Sequence, residues 1–246
     1  MRILSAGESD INGPARYLLA VLHSLKAEVT HLPPSKQVLP HWVTRSTDAV
    51  ILSDCARRQM PATTQKRIRE RVDQGMGLLM IGGWASFTGQ IGGWHGSVIE
   101  SVLPVRCIPK DDRCNFPSGA LIIEEKRHPM FRGFSFSNPP SVCGLNRVEV
   151  KPTAHVILSA RPIESSPGKI PNIRLSRSTY PLLIVDGEPK RRVAALTTDV
   201  APHWSGGLVD WGLRRVTLKP AAGVSVEVGD RYVCWLSGLI RWLACG

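Results

Sequence analysis

Two of the three histidines that stand next to a tryptophan lie close to glycines, and a further tryptophan directly follows a pair of glycines. The segments are Gly82-Gly83-Trp84, Trp94-His95 and His203-Trp204. Glycine lets a backbone approach a ligand closely, and the tryptophan ring offers a flat stacking surface. The pattern predicts one shared concavity for a small ligand, with Asp199 among its residues. The alternative is that the tryptophans seal the rim of the core and the glycines serve tight turns.

Ser86 lies two residues after Trp84 and is a candidate nucleophile, with His203 as its general base. A serine hydroxyl attacks a substrate only when an adjacent base takes its proton, so the two side chains would have to meet. No G-x-S-x-G motif surrounds Ser86. The alternative is a serine that caps a helix or stabilises a turn.

The sequence contains no recognisable motif for a cofactor or a metal ion. Ile91 stands where the dinucleotide fingerprint needs its first glycine, and Gly168-Lys169 is followed by Ile170, which a phosphate loop does not allow. The six cysteines include no C-x-x-C pair, and the histidines and aspartates lack the spacing of zinc ligands. We therefore expect no cofactor and no metal.

Three uniformly apolar segments, 3–6, 49–52 and 78–81, are typical of strands that are buried on both faces. Between them, apolar residues recur at the three-to-four spacing of amphipathic helices. Strands that alternate with helices through short connections form parallel sheets. The sequence predicts an α/β, flavodoxin-like protein. Its central sheet should be mostly parallel, with the three segments as neighbours and helices on both faces.

The middle of the chain has a different pattern. From about residue 106 to 180, prolines and glycines are frequent and the candidate strands are short. We interpret this stretch as a β-rich insertion in a single domain of residues 1–246. Its polar part, 165–178, predicts a loop.

Ligands of open parallel sheets bind beyond the carboxyl ends of the strands. Four segments are expected to reach that edge: 7–12, 53–56, 82–96 and 197–210. The glycines, tryptophans and histidines described above fall in the last two of these segments. The predicted ligand site therefore lies at the carboxyl edge of the sheet.

The net charge of +11 raises the question of a nucleic-acid partner. The basic residues come as dispersed pairs, such as Arg57-Arg58 and Arg191-Arg192, without interleaved aromatic residues or a helix-turn-helix pattern. A solvated basic surface is favoured over a nucleic-acid interface.

Several features predict a cytoplasmic protein without a membrane partner. No stretch approaches the roughly 20 apolar residues of a membrane span. The apolar run at the start of the chain ends at Gly7-Glu8, as expected for a first strand and not for a secretory signal. Cysteines in apolar runs, such as Cys234, predict buried and reduced thiols.

The chain resembles the class I glutamine amidotransferase-like superfamily, and more closely the bacterial cytoplasmic proteins known as the putative glutamine amidotransferase family. The segments that carry the resemblance are 3–9, 77–84, 93–96, 194–199 and 203–207. The resemblance implies the same fold, a site at the same edge of the sheet and a cytosolic location.

Glutaminases of this superfamily use a cysteine on a sharp turn after a strand, a histidine and an acid near the C-terminus, and glycine-rich oxyanion donors. The resemblance places Trp84 at the position of the nucleophile, and Ser53-Asp54-Cys55 in place of the oxyanion glycines. His203 can match the histidine, although Trp204-Ser205 replaces the proline and glutamate that follow it. We therefore expect no glutaminase activity.

Three functions remain open from the sequence. The chain could be a non-catalytic descendant that binds a small polar or sugar-like ligand. It could be a divergent hydrolase or amidotransferase that uses His203. It could also be an assembly module that forms a homo-oligomer through its basic and tryptophan-rich surfaces.

Overall fold

The computed structural model describes residues 1–166, 172–188 and 190–245. In these ranges the helices are α1 (Ala15–Ser24), α2 (Ala62–Asp73), α3 (Val98–Val102), α4 (Pro202–Ser205) and α5 (Asp230–Cys245). The strands before residue 151 are β1 (Arg2–Gly7), β2 (Glu28–Leu32), β3 (Ala49–Ser53), β4 (Gly77–Ile81), β5 (Val105–Cys107), β6 (Arg113–Glu124), β7 (Ser141–Asn146) and β8 (Val148–Val150). The later strands are β9 (His155–Ser166), β10 (Asn172–Leu175), β11 (Tyr180–Val185), β12 (Val193–Leu196), β13 (Arg215–Ala221) and β14 (Val224–Gly229).

The centre of the molecule is a ten-stranded sheet in the order β2-β1-β3-β4-β12-β11-β9-β6-β7, with β10 paired to β9. Strands β2, β1, β3, β4 and β12 run parallel to one another. Ile3 pairs with Ala49 and Leu52 pairs with Met80, so β1, β3 and β4 are parallel neighbours as the sequence predicted. The carboxyl ends of these five parallel strands lie at the same edge of the sheet, which is where the ligand site was predicted.

The β-rich insertion extends this same sheet. Strands β6 and β9 pair antiparallel with each other, and β9 pairs antiparallel with β11, which in turn pairs with β12. The insertion therefore adds antiparallel strands to the parallel half of the central sheet.

Both faces of the sheet are covered, which confirms the predicted α/β layering. Alternate residues of each buried strand point to opposite faces. On one face, Ile51 and Leu79 pack in a cluster with residues of α1 and α5. On the other face, Leu52 and Met80 pack in a cluster with residues of α2 and α3.

The prediction of a loop over residues 165–178 is wrong for most of the described part. Ser165 and Ser166 end β9, and β10 pairs antiparallel with them, with Asn172 opposite Ser166. Ser176 to Ser178 lie outside strands, as predicted. Residues 167–171 lie outside the described part of the chain.

The six cysteines differ in burial, and Cys114 is half-buried. Cys55 and Cys107 are buried, as predicted, whereas Cys143, Cys234 and Cys245 are exposed. The prediction was wrong for Cys234, because this residue lies on the solvent side of α5 while its neighbour Trp235 faces the core. Among the described residues, no helix has the length and apolar character needed to cross a membrane.

Candidate carboxylate site

Three acidic side chains meet at the carboxyl edge of the parallel strands. Glu8 follows β1, Asp54 follows β3, and Asp199 lies three residues after the end of β12. The strand order places β1, β3 and β12 near the middle of the sheet, with only β4 between β3 and β12. Residues far apart in the sequence thus form one acidic cluster.

Glu8 and Asp54 both have left-handed backbones, with φ angles of +54° and +45°. Such conformations cost a residue with a side chain about 1 kcal/mol or more, and they concentrate at functional sites. The two turns are tied together, because the backbone N–H of Glu8 donates to the carbonyl oxygen of Asp54 over 3.3 Å. The Ser53 hydroxyl also donates to the Glu8 carboxyl over 3.5 Å.

The Asp54 carboxylate is held against the turn that follows β4. It accepts a hydrogen bond of 2.5 Å from the backbone N–H of Ala85. A Cβ atom at Gly83 would lie 2.3 Å from Asp54 Oδ1, so only glycine leaves room for this contact. The turn after β4 and the turn after β3 are therefore built around one carboxylate.

Asp199 is almost fully buried at 5% exposure. Its carboxylate accepts hydrogen bonds from the backbone N–H groups of Val200, over 2.6 Å, and Ala201, over 3.0 Å. The hydroxyl of buried Tyr232 donates to the Val200 carbonyl over 2.6 Å. Burial, together with the nearby charge of Asp199, raises the pKa of Tyr232, so the phenol stays protonated.

The three carboxyl groups perturb one another. Burial, reinforced by Asp199 and Asp54, raises the pKa of Glu8 to about 9. Burial and the charge of Asp54 raise the pKa of Asp199 to about 7, against the opposing effect of its backbone hydrogen bonds. Burial also raises the pKa of Asp54, which Ala85 and His203 lower. At neutral pH the cluster holds at least one proton, on Glu8, and can donate as well as accept hydrogen bonds.

A second buried acid also stabilises the turn after β4 through hydrogen bonds. Asp112 is fully buried and accepts hydrogen bonds from the backbone N–H groups of Thr88, over 2.8 Å, and Gly89, over 2.9 Å. It also accepts a 2.7 Å hydrogen bond from the side-chain amide of Asn146. Asn146 in turn accepts from the N–H of Gly83 over 2.9 Å and donates to its carbonyl over 3.2 Å.

Trp84 and His203 form the exposed part of the site. The Trp84 side chain is 45% exposed, and its ring meets that of His203 edge to face, with 5.7 Å between the centroids. The guanidinium group of Arg113 lies 4.9 Å from the centre of the Trp84 ring and also pairs with Asp111.

A cavity of about 320 Å³ opens beside the cluster. Glu8, Asp54 and Ala85 line one side of it, and its other residues are Pro34, Ser35, Lys36, Gln37, Ala56, Arg58, Gln59 and Ile91. A larger cavity of about 840 Å³ lies between β6 and residues 127–139 and is lined by none of the clustered acids. The smaller cavity is therefore the one in which a ligand would meet the carboxyl groups.

The family of the chain follows from sequence comparison. The model of the family described as "Putative glutamine amidotransferase" matches residues 7–216, from the end of β1 into β13. The chain belongs to this family of glutamine amidotransferase-like proteins. No curated protein matches the sequence of this chain.

Solved structures show that the fold of this amidotransferase-like protein is shared over its whole length. A cytoplasmic protein from Salmonella typhimurium is 20% identical, with a TM-score of 0.71 over 99% of each chain. A second cytoplasmic protein, from Salmonella typhimurium LT2, is 22% identical, with a TM-score of 0.69 over 100% of this chain and 98% of the other. A thua-like protein from Parabacteroides merdae is 13% identical, with a TM-score of 0.60 over 99% and 90%.

Ser86 does not meet His203 in this amidotransferase-like protein. It is 1% exposed, and its hydroxyl donates to the carbonyl oxygen of Ile81 over 2.5 Å. The interpretation of Ser86 as a nucleophile is therefore corrected: the hydroxyl stabilises the turn after β4, as the alternative interpretation proposed. His203 is exposed and contacts the Trp84 ring edge to face instead.

Two of the three tryptophans assigned to the shared concavity pack in the interior. Trp94 is fully buried, and its indole N–H donates to the Cys55 carbonyl over 2.7 Å. Trp204, in α4, is 4% exposed. Its ring packs against β7, where a Cβ atom at Gly144 would come within 2.7 Å of it. Neither ring offers a stacking surface, because both faces are taken up by protein. The expectation of one concavity lined by all three tryptophans was wrong.

His95 is exposed but has partners on other elements. Its Nδ1 atom lies 2.7 Å from the carbonyl oxygen of Cys107 and 3.8 Å from the carboxylate of Glu100. It thus connects α3 to β5. Of the predicted site residues, the structure brings together Gly83, Trp84, Asp199 and His203 around Asp54.

Sequence reasoning missed Glu8 and Asp54 as site residues. Both lie in segments that were expected at the carboxyl edge, and each is an acid within one residue of the end of a buried strand. An acid directly after a buried parallel strand was the available signal, because that position points to the ligand edge.

Proposed function

We propose that this protein is a member of its family that binds a small polar, sugar-like ligand and does not hydrolyse glutamine. The observation that carries the proposal is Trp84. It follows Gly83 directly after β4, where the resemblance places the nucleophile, and its exposed ring stands beside His203. An indole cannot form the thioester on which glutaminase chemistry depends.

The thiol next to the cluster supports the same proposal. Cys55 follows Asp54 directly, but it is 1% exposed, and burial raises its pKa to about 12. The thiolate is the reactive form of cysteine, so a buried and protonated thiol is inert. Cys55 therefore does not replace the missing nucleophile.

The chemistry of the cluster favours a ligand rich in hydroxyl groups. Carboxylates accept hydrogen bonds from hydroxyls, and a carboxyl that keeps its proton, as Glu8 does, can donate one. An exposed indole beside such groups can cover the apolar face of a sugar ring. Trp84 immediately precedes Ala85, which lines the cavity with Glu8 and Asp54.

Calorimetric titration with a panel of hexoses tests the proposal. We expect at least one hexose to bind, and Trp84→Ala to weaken its binding about two- to tenfold, because an aromatic contact contributes ~0.5–1.5 kcal/mol. Trp42→Ala is the matched control, since Trp42 is also partly exposed, at 37%, but lines a different cavity together with Arg2 and Ile3 at the start of β1. The proposal fails if no hexose binds, or if the two variants bind equally well.

One observation favours a divergent hydrolase as a second candidate. Glu8 keeps its proton at neutral pH, while the neighbouring Asp54 lies near the exposed imidazole of His203. Titratable groups whose environments separate their pKa values can act as acid and base. Turnover of nitrophenyl glycosides or esters that is lost in His203→Ala would favour the hydrolase.

We further propose a cytoplasmic location and no nucleic-acid partner. The second point is supported by the basic residues, which come as dispersed pairs without interleaved aromatic residues.

A further inference from the structure

The cavity beside the acidic cluster is lined by charges of both signs. Glu8 and Asp54 lie at the carboxyl edge of the sheet. Lys36 lies in the segment after β2, and Arg58 lies in the segment after β3. In the described part of the chain, neither Lys36 nor Arg58 forms an ion pair within 4.0 Å. Two cations thus line a concavity without an acidic partner.

Hydrogen bonds fix the wall that carries these two cations. The buried side-chain amide of Gln59 donates to the carbonyl oxygens of Leu32, over 3.2 Å, Pro33, over 2.9 Å, and Lys36, over 2.9 Å. The turn that contains Arg58 is tied to the opposite segment, because the N–H of Arg57 donates to the Gly92 carbonyl over 2.8 Å. The backbones of both cationic residues are therefore held in place before any ligand binds.

The two cations do not serve to neutralise the acids of the cluster. The charges that act on the pKa of Glu8 are those of Asp199 and Asp54, and the charge that acts on Asp54 is that of His203. Among the described residues, neither Lys36 nor Arg58 forms an ion pair with Glu8 or Asp54 within 4.0 Å. Their charge remains available to a ligand.

We propose that the ligand of this cavity is a sugar phosphate, whose hydroxyls meet Glu8 and Asp54 and whose phosphate is bound by Lys36 and Arg58. This inference rests on the proposed binding of a sugar-like ligand and specifies its class. Arg binds phosphate through two parallel N–H donors, and Lys binds it as a point charge. A cavity of about 320 Å³ is large enough for a molecule of this size.

Titration of the full chain with three matched pairs tests the inference: glucose, mannose and fructose, each with its 6-phosphate. We expect at least one 6-phosphate to bind tenfold or more tightly than its parent sugar. The double variant Lys36→Ala/Arg58→Ala should lose that preference and keep its affinity for the parent sugar. Each single variant should lose part of it.

A matched control is Arg214→Ala/Lys219→Ala, which removes one exposed arginine and one exposed lysine that do not line the cavity. This control should keep the full preference for the 6-phosphate, so that a general loss of positive charge is separated from loss of the site.

The possible failures are distinguishable. Equal affinity for sugars and their 6-phosphates, or a preference that survives in Lys36→Ala/Arg58→Ala, would overturn the inference and leave the proposed sugar binding intact. Binding of neither class would overturn both. Binding of inorganic phosphate with the same affinity as the 6-phosphates would show an anion site without a sugar site, and would also overturn the inference.

Discussion

Glu8 links the chemistry of the site to the stability of the protein. Its carboxyl is buried near Asp54 and Asp199, and this environment raises its pKa to about 9. In an unfolded chain a glutamate has a pKa of about 4.3. Between these two values the folded state binds more protons than the unfolded state. The stabilisation from this proton is therefore fully present below about pH 4 and is lost as the pH rises toward 9.

Glu8→Gln should remove this dependence, because the amide has a similar shape and never ionises. We expect the variant to gain thermal stability over the natural chain at pH 8.5 by several degrees, on the order of 1–2 kcal/mol. The gain should be smaller at pH 5.5, because this pH is only about one unit above the pKa of Glu8 in the unfolded chain, so keeping the carboxyl protonated in the folded state costs less free energy. Thermal unfolding followed by circular dichroism at the two pH values measures the difference.

Glu149→Gln is the control for this comparison. Glu149 is exposed on β8 and forms no ion pair among the described residues. Its substitution should change the melting temperature equally at both pH values. If Glu8→Gln behaves in the same way, the Glu8 carboxyl is not held protonated by its surroundings.

Single residues also show where sequence reasoning reached its limit. Gly83, Trp84, Asp199 and His203 were predicted at the site from residue type and from their place after buried strands. Trp94 was assigned wrongly, because a tryptophan next to glycines can point into the core as readily as into a cleft. The direction of a side chain in a turn depends on packing partners that the local sequence does not reveal.

At the scale of secondary-structure elements, Asn146 connects the two halves of the sheet. It ends β7 in the antiparallel half, and its side chain bonds both backbone groups of Gly83 and the buried carboxylate of Asp112. Its own N–H donates to the Thr197 carbonyl over 2.8 Å, just after β12. The turn that presents Trp84 is thus anchored by an element of the insertion.

Asn146→Ala should destabilise the protein strongly. The substitution leaves a fully buried carboxylate and two backbone groups of Gly83 short of partners, which costs ~3 kcal/mol. It should also weaken ligand binding, because the turn that carries Trp84 and Ala85 loses its anchor. Urea unfolding and the hexose titration measure the two effects.

Asn138→Ala provides the comparison for Asn146→Ala. Asn138 is exposed, and the contact it makes uses its backbone carbonyl, which accepts from the Trp211 indole and survives the substitution. This variant should unfold at the urea concentration of the natural chain. If Asn146→Ala does so too, the side chain does not anchor the turn.

The elements differed in how far they could be predicted from sequence. Strands β1, β3 and β4 are continuous apolar runs separated by amphipathic helices, and those local patterns determine a parallel arrangement. The insertion was correctly predicted to be β-rich, but its extension of the central sheet was not foreseen. The partner of an antiparallel strand is chosen by long-range packing and register, which leave no local pattern.

At the scale of the whole molecule, fold and activity are separable. The chain belongs to a family of glutamine amidotransferase-like proteins and has the sheet that places a site at its carboxyl edge. Function depends on the residues at that edge, and a shared fold supports many different functions. Here those residues are three clustered acids, an exposed indole and an imidazole.

The measurement that tests this account most directly is ammonia release from glutamine by the purified protein and by His203→Ala. Trp84 at the position of the nucleophile and the buried, protonated thiol of Cys55 predict no release above a buffer control from either protein, under conditions in which an active glutaminase gives a clear signal. Release by the natural chain that disappears in His203→Ala would contradict the account, because it would show a working nucleophile and base at this edge of the sheet.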